Sequence, residues 1–561
     1  MRSPRDKGWR YQPIEPDEIL IDAANLPAFD TARLEGRIEK PISEKTFRNF
    51  LILLAFLAVG GIVQLMNLQV REHATLAARA EANRLHHVVV IAERGLVVDR
   101  EGKTLAENIP SDEPGLATRK YPLGPAAAQL VGYVSYPKKD QNGYWYQESI
   151  QGVVGAEKVF DIDLTGQNGL QISESDATGL VVSGAIVREA RPGKNVTLSI
   201  ESRLQKKFYD AIAARSQVSG WRGGTGVIMD IRSGEILALA SYPSFDPAVM
   251  ASGAPREEVE KFINDPRSPF LDRAVQGVYA PGSVVKPFVA VAALEEKVID
   301  SAKKILSTGS ISVSNPYNPK HPSIFKDWRE HGWVDMRLGI AYSSNVYFYE
   351  IGGGFEDQRG LGIANIESFM RRFGFGETTG SILLGEEGGT IPNPEWKAEN
   401  FGGEPWFLGD TYHAAIGQYG FQVTLLQLVR GTAALANGGM LVTPTIIAGA
   451  LPEAKSVGMS DVNFQVVREG MRLAVTDPRG TAQSLAIPGL AVAAKTGTAQ
   501  VGARNEFANS VVIGFFPYQK PRYAFAVVME HAKAGTLEGA PAVMRDVLTW
   551  LVAEKPQMYA Q

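Results

Sequence analysis

An uncharged apolar segment near the N-terminus is the clearest hydrophobic feature of the chain. No Asp, Glu, Lys or Arg occurs in residues 49–70, and the centre of this segment consists mainly of Leu, Ile, Phe, Val and Ala. A helix of this length is about 30 Å long, which matches the hydrocarbon core of a bilayer. The pattern predicts a transmembrane helix over residues 49–70.

A buried helix of a soluble domain and a cleaved signal peptide are the alternatives to a membrane anchor. The signal peptide is disfavoured because 48 residues precede the segment, far more than the charged start of a signal peptide. Lys and Arg are slightly denser before the segment than after it, which favours a cytoplasmic N-terminus. We therefore expect a cytoplasmic tail over residues 1–48, a single-pass anchor in the inner (cytoplasmic) membrane, and a periplasmic remainder.

The hydrophobic pattern changes twice after the anchor. Residues 71–200 carry short apolar runs split by Gly and Pro, as in residues 95–99 and 130–134, and this pattern predicts a mostly β pedestal domain. Residues 201–555 start with a helical pattern, followed by a hairpin around residues 232–234, a long helical body, three strands and a final helix. This order predicts an α+β domain with a central antiparallel sheet flanked by helices.

Composition excludes several classes of function. The chain has 561 residues, with 57 Lys and Arg against 61 Asp and Glu, so its net charge is only −4. Because no basic run accompanies this balance, a nucleic-acid partner is not expected. The chain contains no cysteine. Disulfide bonds, thiolate catalysis and cysteine-ligated zinc are therefore excluded.

Three short motifs, in chain order, carry the candidate chemistry. They are Ser283 with Lys286, Ser343 with Asn345, and the run Lys495, Thr496, Gly497 and Thr498. The first motif alone is weak evidence, because a serine three residues before a lysine also occurs at Ser135, Ser301 and Ser323. The ordered set of three is much more specific than any one of its members.

The local sequence predicts that Ser283 lies at the start of a helix. Pro281 and Gly282 precede it and an apolar run follows, so free N–H groups of the first turn would favour a developing anion there. Lys286 lies one turn further on the same face, where its amine can reach the Ser283 hydroxyl. Burial and a second cation such as Lys495 would lower the pKa of this amine and make it a base. The alternative is a helix-capping serine beside a solvated lysine.

The third motif is predicted to lie on a strand formed by residues 491–499. Gly497 removes a side chain where a substrate backbone has to approach closely. A peptide can pair along such an edge, where Lys495, Thr496 and Thr498 offer a cation and two hydroxyls to its terminal carboxylate. The alternative is a plain turn after a buried strand.

With these motifs, the chain resembles class B penicillin-binding proteins over nearly its whole length after the anchor. The supporting stretches are residues 94–106, 155–160, 234–247, 279–282, 409–411 and 436–439. The resemblance implies a dimerisation-type pedestal over residues 71–200 and a serine transpeptidase domain, similar to serine β-lactamases, over residues 201–555. Residues 394–397, Trp406 and His331 favour the elongation type over the septal type.

The resemblance implies a D,D-transpeptidase that cross-links peptidoglycan through an acyl-enzyme on Ser283. Lys286 would take the proton of the Ser283 hydroxyl. Ser343 would protonate the leaving D-Ala, and Asn345 would orient the donor amide. The backbone N–H groups of Ser283 and Thr498 would form the oxyanion hole. β-Lactams would acylate the same serine and stay bound.

The resemblance also implies partners. They are stem peptides ending in D-Ala-D-Ala, β-lactams, a SEDS-family glycan polymerase in the same membrane, and other proteins of the elongation complex. No cofactor is implied. Some elongation-type relatives carry a zinc ion between the first two motifs, but here only Asp327, His331 and Asp335 lie in that region and the cysteine ligand is missing, so no metal is assigned.

Two other kinds of function fit the same motifs. A D,D-carboxypeptidase or β-lactamase of this fold would use water as its acceptor, and a β-lactam sensor or wall-assembly scaffold would not turn over a substrate. The long anchor and the β module disfavour the hydrolases. A tail of 48 residues is short for the effector that a sensor needs.

Overall fold

The computed structural model of the protein describes residues 43–77, 85–111, 115–141, 145–175, 181–314, 320–502 and 504–558. These residues divide into two compact units. The first contains the described residues up to His86 together with Ser175, and the second contains all the others. Most of the predicted cytoplasmic tail, residues 1–42, lies outside the described residues.

The predicted membrane anchor is one long helix, Glu44–Met66, which continues through a π-helical turn at Asn67–Arg71. Its residues are not buried, and the helix is long and apolar enough to cross a bilayer. Ser43 caps its start, since the Ser43 Oγ accepts a hydrogen bond from the Thr46 N–H at 3.2 Å. The exposed apolar surface is compatible with a single-pass membrane anchor.

The pedestal is mostly β structure, as predicted. Its strands are Leu85–Val90, Val97–Val98, Thr104–Pro110, Ala117–Lys120, Val134–Ser135, Lys138–Lys139, Trp145–Gln147, Gln151–Gly152, Gly169–Ser175, Val181–Arg188 and Val196–Thr197. Its short helices are Gly124–Ala127, Ala128–Val131, Gly155–Val159 and Asp161–Leu164. The buried Glu157 carboxylate bridges the guanidinium groups of Arg94 and Arg119 at 2.6 and 2.8 Å. Because unpaired buried charge is costly, this bridge fixes three distant segments of the pedestal to one another.

A five-stranded antiparallel sheet forms the centre of the C-terminal domain. In spatial order its strands are Ile236–Tyr242, Gly223–Asp230, Tyr523–Lys533, Phe507–Phe516 and Ala493–Val501. The predicted sheet is confirmed, and its strand ends differ from the predicted ones by a few residues. Ala493–Val501 is an edge strand of this sheet, and it carries the third motif.

Helices pack against this sheet and extend beyond it. Ser202–Ser219 and Ala540–Glu554 contact each other and the sheet, and Leu425–Asn437 contacts three of its strands. The remaining helices are Pro247–Ser252, Arg256–Asn264, Gly282–Val285, Lys286–Glu295, Met336–Tyr342, Asn345–Gly353, Ile363–Arg372, Pro394–Asn400, Leu408–Ala415, Asp461–Thr476, Gln483–Leu485 and Pro556–Met558. Three two-stranded antiparallel sheets pair Ile305–Ser307 with Gly332–Val334, Ser310–Val313 with Ser323–Lys326, and Met440–Val442 with Ala454–Ser456.

Polar contacts join the pedestal to both ends of the C-terminal domain. The Asp99 Oδ2 of the pedestal accepts a hydrogen bond from the Ser202 N–H at 3.1 Å, at the start of the first helix. The Lys555 ammonium, just after the last long helix, pairs with Glu101 of the pedestal at 2.7 Å and with Glu201 at 3.0 Å. The beginning and the end of the catalytic fold therefore meet at one place on the pedestal.

Candidate active site

The first motif lies at a helix start, but on a 3₁₀ turn. Gly282–Val285 is 3₁₀-helical, and the α-helix begins at Lys286. Residues three apart align in a 3₁₀ turn, which is compatible with Ser283 and Lys286 lying on the same side of it. Gly282 has a φ of 56°, which suits a glycine, and its N–H donates to the Gly417 carbonyl at 3.0 Å. Ser283 stays partly exposed, whereas Lys286 is completely buried.

The second motif lies at a sharp break between two helices. Met336–Tyr342 ends at Ser343, which adopts the left-handed conformation with φ 58° and ψ 38°. Ser344 then caps the helix Asn345–Gly353 by accepting a hydrogen bond from the Tyr347 N–H at 3.3 Å. A non-glycine residue in this conformation costs about 1–3 kcal/mol, and such strain is concentrated at functional sites. The break directs Ser343 and Asn345 toward the lysines of the other two motifs.

Both motif lysines converge on Ser343. The Lys286 Nζ donates to the Ser343 carbonyl oxygen at 2.8 Å, to the Ser343 Oγ at 3.3 Å and to the Asn345 Oδ1 at 2.7 Å. The Lys495 Nζ donates to the same Ser343 Oγ at 2.8 Å. Among the described residues, the Ser283 hydroxyl is not a hydrogen-bond partner of Lys286. The expected direct contact between Ser283 and Lys286 is thus replaced by contacts to the second motif.

Burial shifts both lysine amines toward their neutral forms. It lowers the pKa of Lys286 to about 7, although the Asp327 carboxylate acts in the opposite direction. Burial, followed by the charge of Lys286, holds the pKa of Lys495 well below its usual range. Each amine therefore loses its proton far more easily than an exposed lysine does.

The third motif presents an open strand edge beside the Ser283 turn. Gly497 lies against that turn, since a Cβ at this position would lie 2.8 Å from the Pro281 carbonyl oxygen and 3.1 Å from the Val284 Cγ1. The glycine is therefore required by packing against the nucleophile turn itself, which the sequence does not reveal. Thr498 is exposed. Lys495 is completely buried, so its cation lies inside the site and not on the surface of the edge.

Thr496 of the third motif pairs with a hydroxyl from outside the three motifs. The Thr496 Oγ1 lies 2.8 Å from the Thr481 Oγ1, within hydrogen-bond distance. The Thr481 N–H in turn donates to the carbonyl oxygen of Ala341 at 3.2 Å. The segment that contains Thr481 thus contacts the third motif and the helix that leads into the second motif, and no local sequence pattern indicates these contacts.

The three residues considered for a metal do not form a metal site. The Asp335 Oδ1 caps the helix Met336–Tyr342 by accepting a hydrogen bond from the Leu338 N–H at 2.9 Å. The His331 Nε2 lies 3.5 Å from the Asp327 Oδ1. Within the part of the chain that the structure describes, no group of three or more His, Asp or Glu side chains is arranged to hold a metal ion.

A buried ion pair lies near the loop that accepts the Gly282 hydrogen bond. The Lys397 Nζ lies 2.6 Å from the Asp410 Oδ2, and the Lys397 side chain is only 2% exposed. The same ammonium lies 5.7 Å from the centre of the Tyr419 ring. Tyr419 follows Gly417, the acceptor of the Gly282 N–H, by two residues. Lys397 and Asp410 thus connect the sequence signature of residues 394–411 to the position of Ser283.

Comparison with known proteins identifies the family. Residues 224–549 match the penicillin-binding protein transpeptidase domain, and residues 115–198 match the penicillin-binding protein dimerisation domain. The chain belongs to the class B penicillin-binding proteins, as its motifs predict. The peptidoglycan D,D-transpeptidase MrdA of Acinetobacter baumannii is 34% identical over 447 residues, which is 74% of this chain. The match spans 64% of that relative, just under two thirds of its length.

Similar solved structures place the chain in the elongation type. Pseudomonas aeruginosa PBP2 in complex with WCK 5153 has a TM-score of 0.68 at 30% identity, covering 83% of this chain and 98% of that one. Helicobacter pylori PBP2 in complex with MreC has a TM-score of 0.69 at 26% identity, covering 84% and 99%. A peptidoglycan synthase complex described as coordinating polymerization and crosslinking has a TM-score of 0.71 at 25% identity, covering 91% and 98%.

Removing one member of the buried ion pair is expected to destabilise the protein. Asp410→Ala leaves the buried Lys397 ammonium with only the exposed Glu404 carboxylate, 3.9 Å away, as counter-charge. We expect a loss of about 3 kcal/mol in the free energy of unfolding. Replacing both residues, with Lys397→Met and Asp410→Leu, should recover most of that loss because no buried charge remains. Urea unfolding followed by tryptophan fluorescence measures both effects.

The exposed pair of Arg256 and Glu260 on one helix provides the control. Glu260→Ala should leave the unfolding curve nearly unchanged, because exposed ion pairs contribute little. A double variant as unstable as Asp410→Ala alone would show that the aromatic and polar surroundings, and not the unpaired charge, set the stability of this loop.

Proposed function

We propose that this chain is an elongation-type D,D-transpeptidase that cross-links peptidoglycan with Ser283 as its nucleophile. The observation that carries the proposal is the Ser343 hydroxyl held between two buried lysine amines, 3.3 Å from Lys286 and 2.8 Å from Lys495. Both amines have a lowered pKa, so protons can move through this cluster near neutral pH. The partly exposed Ser283 lies on the turn that leads into Lys286.

Acylation forms a bond between the Ser283 Oγ and the carbonyl carbon of the penultimate D-Ala of a donor stem peptide. The Ser283 proton passes to the neutral amine of Lys286. Backbone N–H groups of Ser283 and Thr498 donate to the oxyanion that develops on the carbonyl oxygen. The scissile C–N bond then breaks, and the departing D-Ala amine receives a proton through the Ser343 hydroxyl.

The acyl-enzyme is resolved by an amine of a neighbouring stem peptide. This amine attacks the ester carbonyl, gives up a proton to the same cluster and releases the Ser283 hydroxyl. The open edge of Ala493–Val501 offers backbone groups for pairing with an extended peptide. Exposed Thr498 and the hydroxyl pair of Thr496 and Thr481 offer donors to its carboxylate. A β-lactam uses the same chemistry but remains attached to Ser283.

The chain works from the membrane with the help of wall-assembly proteins. The helix Glu44–Met66 anchors it in the inner membrane with a cytoplasmic N-terminus and a periplasmic catalytic domain, a topology supported by the charge bias around the helix. The complex of Helicobacter pylori PBP2 with MreC supports a wall-assembly partner, and the peptidoglycan synthase complex supports a partner that polymerises glycan. The resemblance to class B penicillin-binding proteins implies that this polymerase belongs to the SEDS family.

The pedestal offers an apolar surface for such a partner. Ile162 is 95% exposed, and Val153 and Val154 are also exposed. The Gly152 N–H donates to the Asp161 Oδ1 at 2.7 Å, and Val153 and Ile162 each directly follow one partner of this hydrogen bond. Grouped exposed aliphatic side chains are typical of protein-contact surfaces.

The assignment of the nucleophile predicts the labelling pattern with fluorescent penicillin. Ser283→Ala should lose the covalent label completely, because the only reactive hydroxyl is removed. The matched control is Ser301→Ala, since Ser301 also stands three residues before a lysine but lies in a turn outside the site. Mass spectrometry of the labelled peptide locates the adduct. An adduct on any other residue, or a label retained by Ser283→Ala, contradicts the assignment.

The lowered pKa of Lys286 predicts how acylation depends on pH. A base has to be neutral, so the second-order acylation rate should rise with pH through a midpoint near 7, the pKa that burial gives Lys286. Lys286→Arg should abolish acylation, because a guanidinium does not release its proton. Stopped-flow measurements with a chromogenic β-lactam provide the profile. A rate that stays flat from about pH 6 to 9 would exclude Lys286 as the base.

If the partner binds through the pedestal, a change to this surface should reduce polymerase binding without affecting acylation by penicillin. The double variant Val153→Glu with Ile162→Glu should acylate with penicillin normally, while the polymerase should co-purify with it less and cross-linking in cells should fall. Ile263→Glu is the matched control, because Ile263 is 62% exposed on a helix of the catalytic domain. Equal polymerase recovery with both variants would mean that this pedestal surface is not the contact.

A further inference from the structure

Asp327 is a buried carboxylate that contacts the second motif without belonging to any motif. Its Oδ2 accepts hydrogen bonds from the Ser344 Oγ at 2.8 Å, the Val346 N–H at 3.0 Å and the Ser307 Oγ at 3.2 Å. Its Oδ1 accepts a hydrogen bond from the Trp328 N–H at 2.9 Å. The Asp327 side chain has no solvent exposure. These donors around one buried carboxylate make it a rigid joint between the segment of residues 305–334 and the second motif.

This carboxylate stays ionised despite its burial. Burial alone raises the pKa of Asp327, but the nearby His331 ring and the hydrogen bonds from the backbone of Asn345 and Val346 outweigh it and hold the pKa well below its usual range. The anion is therefore a permanent part of the site across the working pH range. Of the proposed catalytic groups, Lys286 is the one whose positive charge interacts with the Asp327 carboxylate.

The residues that Asp327 binds are the direct neighbours of the catalytic pair. Ser344 caps the helix Asn345–Gly353, and Val346 is its second residue. On either side of Ser344 lie Ser343 and Asn345, which supply all the hydrogen-bond acceptors of the Lys286 ammonium. Asp327 thus holds both ends of the short segment on which the position of Lys286 depends.

We propose that Asp327 is a positioning residue for transpeptidation, whose carboxylate clamps residues 343–346 and provides the negative charge that faces Lys286. Because three donors occupy its Oδ2 and Asp335 is used as a helix cap, hydrogen bonds and not a metal ion hold the region between the first two motifs in this chain. The proposal rests on the assignment of Lys286 as the base for Ser283.

The charged and titratable groups that face this cluster are few. Lys286 faces it from the start of the helix Lys286–Glu295, and Lys495 from the edge strand. His331 faces it from the segment of residues 305–334, and Tyr349 from the helix Asn345–Gly353. The Asp327 charge favours the protonated form of Lys286, and the charge of Lys286 in turn lowers the pKa of Lys495. Loss of the Asp327 charge should therefore favour the neutral form of Lys286 over a wider pH range.

Asp327→Asn tests the proposal, because it keeps the shape and one oxygen acceptor but removes the charge. We expect the second-order acylation rate with a β-lactam to fall by about tenfold or more as the clamp loosens. The rising part of the pH profile should also move to lower pH, because the anion that favours protonated Lys286 is gone. A purely structural role for Asp327 would lower the amount of folded protein without moving this profile.

Two further variants keep the test decisive. Asp335→Asn removes a carboxylate from the same segment that only caps a helix, so it should leave both the rate and the profile of the folded protein unchanged. Ser307→Ala removes one donor to Asp327 but keeps its charge. Ser307→Ala should lower the acylation rate less than Asp327→Asn does and should leave the pH profile unchanged. This variant therefore also tests the clamp if Asp327→Asn does not fold.

Three results would overturn the proposal. One is an Asp327→Asn protein with the wild-type rate and pH profile. Another is the same profile shift in Asp335→Asn. The third is a wild-type acylation rate that falls with a chelator and recovers with zinc. The Ser283→Ala labelling experiment is independent of all three results. If Ser283→Ala loses the penicillin label but Asp327→Asn acylates normally, the positioning role of Asp327 is rejected while the assignment of Ser283 stands.

Discussion

The structure depends on two lysine amines that are buried around a single serine hydroxyl. Placing two ammonium groups in a dry site costs several kcal/mol for each ion unless they are paired or neutral. Here Lys286 and Lys495 share the Ser343 Oγ, and each also donates to a backbone carbonyl oxygen. Burial then favours loss of a proton from both amines, and the charge of Lys286 adds to this effect at Lys495. Burial of the two amines thus costs folding free energy, and the same burial suits them to the role of bases.

The fold meets this constraint by bringing three distant segments together on rigid elements. The edge strand of the sheet presents Lys495, and the start of a helix that is buried as far as Leu294 presents Lys286. The break between two helices presents Ser343 in a left-handed conformation that is itself strained. Close packing fixes these parts, since Gly497 has no room for a side chain beside the Ser283 turn. Strain and buried charge are thus offset by the large apolar core around them.

Much of this architecture follows from local sequence patterns. The apolar anchor, the hairpin at the start of the catalytic domain, the three late strands and the final helix all have a clear hydrophobic period, and the three motifs stand in order along the chain. What local patterns do not contain are contacts between distant positions. Examples are Thr481 beside Thr496, Asp327 beside Ser344, and Lys397 with Asp410 behind the nucleophile turn. Similarly, spacing suggests that Lys286 reaches Ser283, but only the fold shows that its partners lie in the second motif.

The proposed mechanism requires that burial lower the pKa of the Lys286 amine to about 7, so that a large fraction of it is neutral at physiological pH. The most direct test is an NMR titration of the protein with its lysine side chains labelled with carbon-13 at Cε, using Lys286→Arg to assign the resonance. The account predicts that this resonance titrates with a midpoint near 7, and that Asp327→Asn moves the midpoint lower. A Lys286 resonance that titrates near the ordinary lysine value of about 10.4 would contradict the account.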